Sequence, residues 1–206
     1  AKDKDGNKEF EFTDDGLLNN YLGVEFTKRK DGTMELKQEF LIDRVIQALD
    51  FKAEEMNSKD NPAAKPFLHK DTTGPPRKHQ WHYRSVIGML NYLEKTTRAD
   101  LAFSVHQCAR FCKNPRLSHE KAVHKIIRYL KSTKKMGMIF TPDQSKGIEC
   151  YVDADVAGGW NSIDSNCPAN VLSRTGYVIM YCGCPLVWSS KLQTGIALST
   201  TEAEYI

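Results

Sequence analysis

The chain changes from a helical to a strand-like hydrophobic period near residue 141, and this change limits the folds it can adopt. Before that point, apolar residues recur every three or four positions in residues 38–51 and in three stretches between residues 81 and 135. That spacing predicts amphipathic helices. After it, GIECYVDADVAG alternates apolar and polar residues, and RTGYVIMYCG and PLVWSSK have strand character. Three consecutive strands, followed by a helix beginning near Ser199, predict an antiparallel meander at the start of an α/β domain.

The N-terminal part of the chain contains a hairpin signal. In NYLGVEFTKRKDGTMELKQ, Asp31-Gly32 separates two runs of β-type residues, and glycine tolerates the positive φ that tight turns require. Leu22, Val24 and Phe26 are expected to share one strand face, and the earlier EFEF is a possible edge strand. The helix over residues 38–51 is expected to bury its apolar positions, which are Phe40, Leu41, Val45, Ile46 and Leu49.

The central region is predicted to be helical. Three helices are expected over about residues 81–95, 100–112 and 118–135, with Asp100 and Ser118 as N-caps of the second and third. Residues 52–78 are rich in Pro, Lys and Thr, a composition that indicates either a linker or an extended wrap over a neighbouring surface.

Positive charge is concentrated in the same central region. Residues 77–140 hold 14 basic and 3 acidic residues, whereas residues 141–206 hold 3 basic and 7 acidic residues. A basic face on the third helix, opposite its apolar face, suits contact with phosphates, although a solvated lysine face has the same pattern. The predicted nucleic-acid-binding residues are Lys121, Lys125, Arg128 and Lys135.

Composition excludes several other classes of protein. Hydrophobic residues make up 40% and charged residues 27% of the 206 residues, which argues against wholesale disorder. No apolar run approaches the roughly 18 residues of a membrane span, and the polar N-terminus lacks a signal-peptide core. The six cysteines form no CxxC pair and indicate reduced thiols in a cytosolic or nuclear protein. Because the chain begins with Ala1, it is expected to be a fragment or a processed product.

Acidic residues on the first and last elements of the C-terminal region are candidates for chemistry. Asp153 and Asp155 lie on one face of a strand otherwise rich in apolar residues, and a carboxylate in a buried strand is costly unless it is paired, hydrogen-bonded or bound to a cation. Glu202 is a further candidate, but Ser199-x-x-Glu202 is also a helix capping box, the interpretation that local spacing favours, and Thr201-x-x-Glu204 is a second, overlapping capping box. His119 and His124 lie near Cys108 and Cys112, but their spacing matches no structural zinc site.

Several motifs together resemble the Pol polyproteins of copia-type (pseudoviral) LTR retrotransposons. YVDADVAG, SRTGYV, PLVWSSKLQT and ALSTTEAEY resemble the start of their ribonuclease H domain. YLGVEF with the DG hairpin resembles the strand pair before the reverse transcriptase thumb. LIDRVIQAL, HYRSVIGMLNYL, TRADLAFSVHQCARF and IIRYLKST resemble the thumb and connection region. The resemblance covers nearly the whole chain, in order.

This resemblance implies an α/β fold in three parts. Residues 1–76 are expected to form the end of the reverse transcriptase, with a primer-grip-like hairpin, a thumb helix and a linker. Residues 77–140 would form the basic helical connection region. Residues 141–206 would form the N-terminal half of a ribonuclease H-like domain, a three-stranded antiparallel meander with the beginning of a helix.

The resemblance also implies roles for particular residues. Asp153 and Glu202 match a catalytic pair that binds Mg²⁺, whereas Asp155 has no direct role assigned by the match. Tyr21, Leu22 and Gly23 match the primer grip. The polymerase aspartates and the later ribonuclease H aspartates of the family are expected to lie outside these 206 residues.

The implied parent activity is RNA-directed DNA synthesis coupled to two-metal hydrolysis of RNA in RNA–DNA hybrids. The isolated chain is expected to be inactive, because its two carboxylates cannot hold two ions. Expected partners are an RNA–DNA hybrid or duplex nucleic acid and the rest of the polyprotein, with no membrane, in the cytoplasm (as a virus-like particle) or the nucleus. The alternative is a non-catalytic nucleic-acid-binding module acting through residues 77–135.

Overall fold

A four-stranded antiparallel sheet brings the two ends of the helical region together. The computed structural model describes residues 16, 18–49, 60–64, 67–160 and 167–206; the EFEF segment lies outside them. The sheet has the order β1 (Asn20–Tyr21), β2 (Val24–Lys28), β3 (Met34–Lys37) and β4 (Met138–Phe140). The predicted hairpin is confirmed, because β2 pairs with β3 around Gly32, whose φ is 88°.

Two features of this sheet differ from the sequence prediction. Leu22 does not share a strand face with Val24 and Phe26, because it lies in the turn between β1 and β2 with a φ of 52°. Strand β4 was not predicted. It pairs with β3, with Glu35 opposite Ile139, so the chain returns to the N-terminal hairpin after the helices.

The helices pack around one apolar core. They are α1 (Glu39–Ala48), α2 (Tyr83–Thr96), a 3-10 turn (Ala99–Leu101), α3 (Ala102–Ala109) and α4 (Leu117–Ser132). Residues from all four α-helices are fully buried in this core, including Val45, Leu90, Val105 and Leu130. Burial of such apolar surface is the main stabilising term of a fold of this kind.

Some details of the helix predictions were wrong. Phe40 is 67% exposed rather than buried, because α1 turns Ile42 and Val45 toward the core instead. Asp100 is not an N-cap, since it lies within the 3-10 turn and its carboxylate binds Arg98. Helix α4 begins one residue before Ser118 and ends at Ser132, before Lys135.

The predicted C-terminal meander is confirmed as a second antiparallel sheet. It contains β5 (Ile148–Ala154), β6 (Arg174–Tyr181) and β7 (Cys184–Leu192) in that order. A short helix, α5 (Pro168–Val171), precedes β6, and α6 (Thr200–Tyr205) follows β7. The sheet packs on the helices through two buried side chains. The Trp188 indole donates to the Glu94 carbonyl at 2.9 Å, and Arg174 lies 4.9 Å from the Phe103 ring.

Residues 67–79, before α2, form an extended wrap along α4, the second of the two arrangements predicted for residues 52–78; residues 52–59 and 65–66 of that range lie outside the described residues. Successive contacts join the two elements. The Ser118 hydroxyl donates to Asp71 at 2.6 Å, Leu117 N donates to the Pro75 carbonyl at 3.1 Å, and His79 contacts Glu120. Within the described ranges, no helix is long and apolar enough to cross a membrane.

Candidate nucleic-acid interface and carboxylate site

Few acidic groups offset the positive charge of residues 77–140. Only three acidic residues lie in this range, and each is paired with a basic side chain of the same range. Glu94 and Glu120 are buried, and bind Lys95 and His79 respectively. The Asp100 carboxylate binds the Arg98 guanidinium. Most of the basic side chains in the range are exposed or half-buried, so this surface can attract a polyanion.

The four predicted basic residues have different environments. Lys121 on α4 and Lys135 in the following turn are exposed. Lys125 is half-buried, and its ammonium donates to the Ala63 carbonyl, so it holds the extended segment against α4. Arg128 is half-buried. Lys131, an exposed residue on α4 three positions after Arg128, continues the basic face and was not included in the prediction.

The predicted primer-grip residues form the exposed tip of the first hairpin. Tyr21 pairs with Val24, and the two-residue loop between them has positive φ at both positions, 52° at Leu22 and 77° at Gly23. A left-handed backbone is common for glycine but costly for leucine. The Tyr92 hydroxyl on α2 donates to the Leu22 carbonyl at 2.7 Å. This contact fixes the tip, while the Leu22 side chain remains 70% exposed.

The two aspartates of the first meander strand have different surroundings. Asp153 is exposed, pairs with Gly176 across the ladder and lines an open groove of about 320 Å³ that also includes Trp188. Asp155 follows the strand, and its Oδ1 accepts the Arg174 amide at 2.7 Å. Asp155 therefore supports the backbone connection between β5 and β6.

Both glutamates of α6 accept backbone hydrogen bonds. The Ser199 hydroxyl accepts the Glu202 amide at 3.1 Å, and Glu202 Oε2 accepts the Leu198 amide at 2.8 Å. The predicted cap is therefore present, although the reciprocal bond goes to the residue before Ser199. Glu204 Oε1 accepts the Ala154 amide at 3.2 Å, which ties α6 to β5 beside Asp153. Sequence reasoning assigned Glu204 only a second, overlapping capping box.

A complete carboxylate site is not formed by the described residues alone. The α6 carboxylate that contacts β5 is that of Glu204, whereas the Glu202 carboxylate accepts the Leu198 amide. In the part of the chain that the structure describes, the one group of three metal-ligating side chains contains neither Asp153 nor Glu202. The metal role of this pair stays a prediction.

The zinc set considered from the sequence does not form. His119 Nδ1 accepts the Arg116 amide at 2.9 Å, its other ring nitrogen lies 2.9 Å from the His69 carbonyl, and its ring stacks on Phe111. Cys108 is fully buried under the Tyr83 hydroxyl. His124 instead lies near His79 and Glu120.

Comparison with known proteins finds relatives along almost the whole chain. No protein-family model matches it, and no solved structure matches it. The chain is 34% identical, over 213 residues, to the retrovirus-related Pol polyprotein from transposon TNT 1-94 of Nicotiana tabacum, and the match covers 98% of the chain and 15% of the relative. It is 29% identical to the Pol polyprotein from transposon RE1 of Arabidopsis thaliana, with 95% of the chain and 13% of the relative covered.

A shorter relative matches only part of the chain. The secreted RxLR effector protein 161 of Plasmopara viticola is 36% identical over 124 residues, which are 60% of the chain and 82% of that protein. The match to the TNT 1-94 polyprotein covers nearly the whole chain, whereas this match covers 60% of it. The chain therefore belongs to the retrovirus-related Pol polyproteins of copia-type transposons.

Proposed function

We propose that this chain is the part of a retrotransposon Pol polyprotein that holds an RNA–DNA hybrid between the polymerase and ribonuclease H activities. The parent would carry out RNA-directed DNA synthesis and hydrolyse RNA in the hybrid. The main support is the match to Pol polyproteins over 98% of the chain. Because the chain spans only 15% of that relative, the activities belong to the proposal and not to the match itself.

The antiparallel meander supports a ribonuclease H-like identity for residues 141–206. A first strand carrying Asp153, two further strands and a following helix occur in the order that the family resemblance implies. In this arrangement Glu204 connects α6 to the end of β5, because its carboxylate accepts the Ala154 amide. The fold assignment for this part therefore rests on strand order and on the match to Pol polyproteins.

Two surfaces fit the task of holding a hybrid. The basic face of α4 and the following turn, with Lys121 and Lys135 exposed, would contact phosphates, which carry most of the affinity in sequence-independent binding. The exposed Leu22-Gly23 tip, anchored by Tyr92, would approach the end of a primer. Neither surface requires a base-specific contact, as expected for a protein that must accept any sequence.

The implied Mg²⁺ ions fit this chain only in part. Asp153 and Glu202 offer carboxylate oxygens, the ligand type that Mg²⁺ prefers. However, Glu202 accepts the Leu198 amide, and among the described residues no third metal-ligating side chain joins either of them. A two-ion reaction needs several converging carboxylates, so no catalytic step is assigned to the chain alone.

The proposal can be tested by the binding of the 206-residue chain to an RNA–DNA hybrid. We expect affinity to fall steeply with salt, and the double variant Lys121→Glu/Lys135→Glu to weaken binding and to reduce the salt slope by about 2, one for each phosphate contact. Lys146→Glu/Lys191→Glu is the matched control, because both lysines are exposed in the acidic C-terminal region. If both double variants lose the same affinity for the hybrid, the basic face of α4 and the following turn is not the binding surface.

The alternative function is nucleic-acid binding without any part in catalysis, and the concentration of positive charge in residues 77–140 favours it. The two can be separated in the complete polyprotein with Asp153→Asn. Our proposal requires that hybrid cleavage is lost while hybrid binding is retained. Unchanged cleavage would favour the non-catalytic alternative.

A further inference from the structure

We infer that His79, Glu120 and His124 form a binding site for a divalent transition-metal ion of the zinc class, which would fasten the extended segment to α4. The site lies outside the carboxylate pair and the basic face, and it does not depend on the proposed function. It joins residues that are 41 positions apart in the sequence, since His79 comes from the extended segment and Glu120 from α4.

The geometry brings three ligand atoms together. Glu120 and His124 are separated by four residues on α4, so their side chains leave the same face of the helix. Both are buried, at 1% and 6% exposure. The His79 ring nitrogen Nδ1 lies 2.8 Å from Glu120 Oε1, and the His79 amide donates to Oε2 at 3.3 Å. One ligand atom from each of the three residues lies within 4.8 Å of the other two.

The donor set selects the class of metal. Two imidazoles and one carboxylate suit zinc and neighbouring transition metals, whereas Mg²⁺ and Ca²⁺ favour sites built from oxygen alone. With metal–ligand bonds of about 2.0–2.2 Å in a tetrahedral site, ligand atoms lie about 3.3 Å apart. The observed separations, 2.8 Å between His79 Nδ1 and Glu120 Oε1 and no more than 4.8 Å within the set, bracket this value.

The surroundings close one side of the site and leave the other open. The Trp81 ring lies 6.1 Å from the His124 ring, and Arg77 lies over the Trp81 ring at 4.9 Å, which shields the inner side. The His79 side chain is 44% exposed, so a fourth ligand such as water can approach from that direction. Three protein ligands with one open position is an arrangement that zinc commonly adopts.

The test is zinc binding by the full 206-residue chain after removal of metals with a chelator. We expect one Zn²⁺ per chain in a competition titration, and a melting temperature that rises with zinc concentration because the ion binds the folded state. Co²⁺ in the same site should give the intense visible absorption of a tetrahedral complex, without thiolate charge-transfer bands. His79→Ala and Glu120→Gln should each lower zinc affinity at least 10-fold, as expected when one of three ligands is lost.

His82→Ala is the matched control for His79→Ala. His82 is exposed and lies three residues after His79, and its replacement should leave zinc affinity unchanged. The variant should be slightly less stable, because the His82 ring accepts the Ser85 amide at the start of α2. Since His79 is largely exposed, its variant should fold even if a change at buried Glu120 does not. Equal zinc affinity in wild type and His79→Ala, thiolate bands with Co²⁺, or the absence of binding would each overturn the site.

Discussion

The buried Arg98 guanidinium and the partly exposed Asp100 carboxylate form a two-point ion pair at the edge of the helical core. Arg98 Nε lies 3.0 Å from Asp100 Oδ1, and Nη2 lies 2.8 Å from Oδ2. The remaining Arg98 donors bind the carbonyl and hydroxyl of Thr133, and the Tyr129 hydroxyl donates to Asp100 at 2.8 Å. The pair therefore connects the end of α2 to the end of α4. Burial favours the neutral acid, but Arg98 and Tyr129 outweigh it and hold the pKa of Asp100 below its usual value.

Replacing Arg98 should destabilise the fold strongly. Arg98 is 2% exposed, and Arg98→Ala would leave the Thr133 carbonyl and the Asp100 carboxylate without their cationic partner. Removing one member of a buried pair costs about 3–5 kcal/mol, and the partial exposure of Asp100 places the expected loss near the lower end. Arg98→Lys should lose less, about 1–2 kcal/mol, because an ammonium keeps the charge but not the planar fork. Urea unfolding measures both, with exposed Arg84→Ala as the control. A loss below 1 kcal/mol for Arg98→Ala would contradict the structural role.

Replacing the two aspartates of the YVDADVAG motif should change the free energy of unfolding by different amounts. Asp155→Ala removes the acceptor of the Arg174 amide, and an unsatisfied buried amide costs about 1–3 kcal/mol. Asp153→Ala changes an exposed side chain and should alter stability by no more than about 0.5 kcal/mol. Thermal or urea unfolding of the two variants gives the comparison directly. The assignment fails if Asp153→Ala is the more destabilising of the two.

Local signals in the sequence predicted the elements whose formation depends on neighbouring residues. The Asp31-Gly32 turn, the apolar period of α2 and the cap at Ser199 all act within a few residues, so their prediction needed no tertiary information. Strand β4 could not be predicted in this way. It has only three residues, and its pairing partner β3 lies about 100 positions earlier in the chain.

Contacts between distant side chains explain the errors that local rules made. Asp100 is a residue type that favours N-caps, but its carboxylate binds Arg98, and this pair is held by Tyr129 and Thr133 at the end of α4. The capping rule identified Glu202 correctly, yet no local rule states which glutamate of α6 faces β5, and the structure gives that contact to Glu204. The contact between His79 and Glu120 crosses 41 residues and has no spacing signature.

Acidification should destabilise the contact between the second sheet and α3. Burial, together with nearby Arg174, lowers the pKa of His106 to about 4 from its usual 6.5, and its Nδ1 lies 3.0 Å from Arg174 Nη1. Between these two pH values the unfolded chain binds a proton that the folded chain excludes, so this contribution to stability is lost as pH falls from about 6.5 toward 4. His106→Gln should reduce proton uptake on unfolding at pH 5 by about one. Urea unfolding measured at several pH values gives this uptake as a slope. If the free energies of unfolding of wild type and variant depend on pH in the same way throughout that range, the prediction is wrong.

Relieving the backbone strain at Leu22 should stabilise the fold and weaken the proposed contact with a primer. A leucine at a φ of 52° costs about 1–2 kcal/mol relative to an ordinary conformation, and asparagine before Gly23 is preferred in a two-residue turn with two positive φ values. Leu22→Asn should therefore raise the free energy of unfolding by about 0.5–1 kcal/mol.

The same variant tests the proposed role of the tip. Strain retained at an exposed apolar residue indicates a functional contact, so Leu22→Asn should weaken primer extension by the complete polyprotein even though the fold is more stable. Leu186→Asn is a suitable control, because Leu186 is also exposed, at 55%, but lies on β7. If Leu22→Asn extends primers as well as wild type does, the hairpin tip does not contact the primer, and a decrease in stability would show that the turn is not strained.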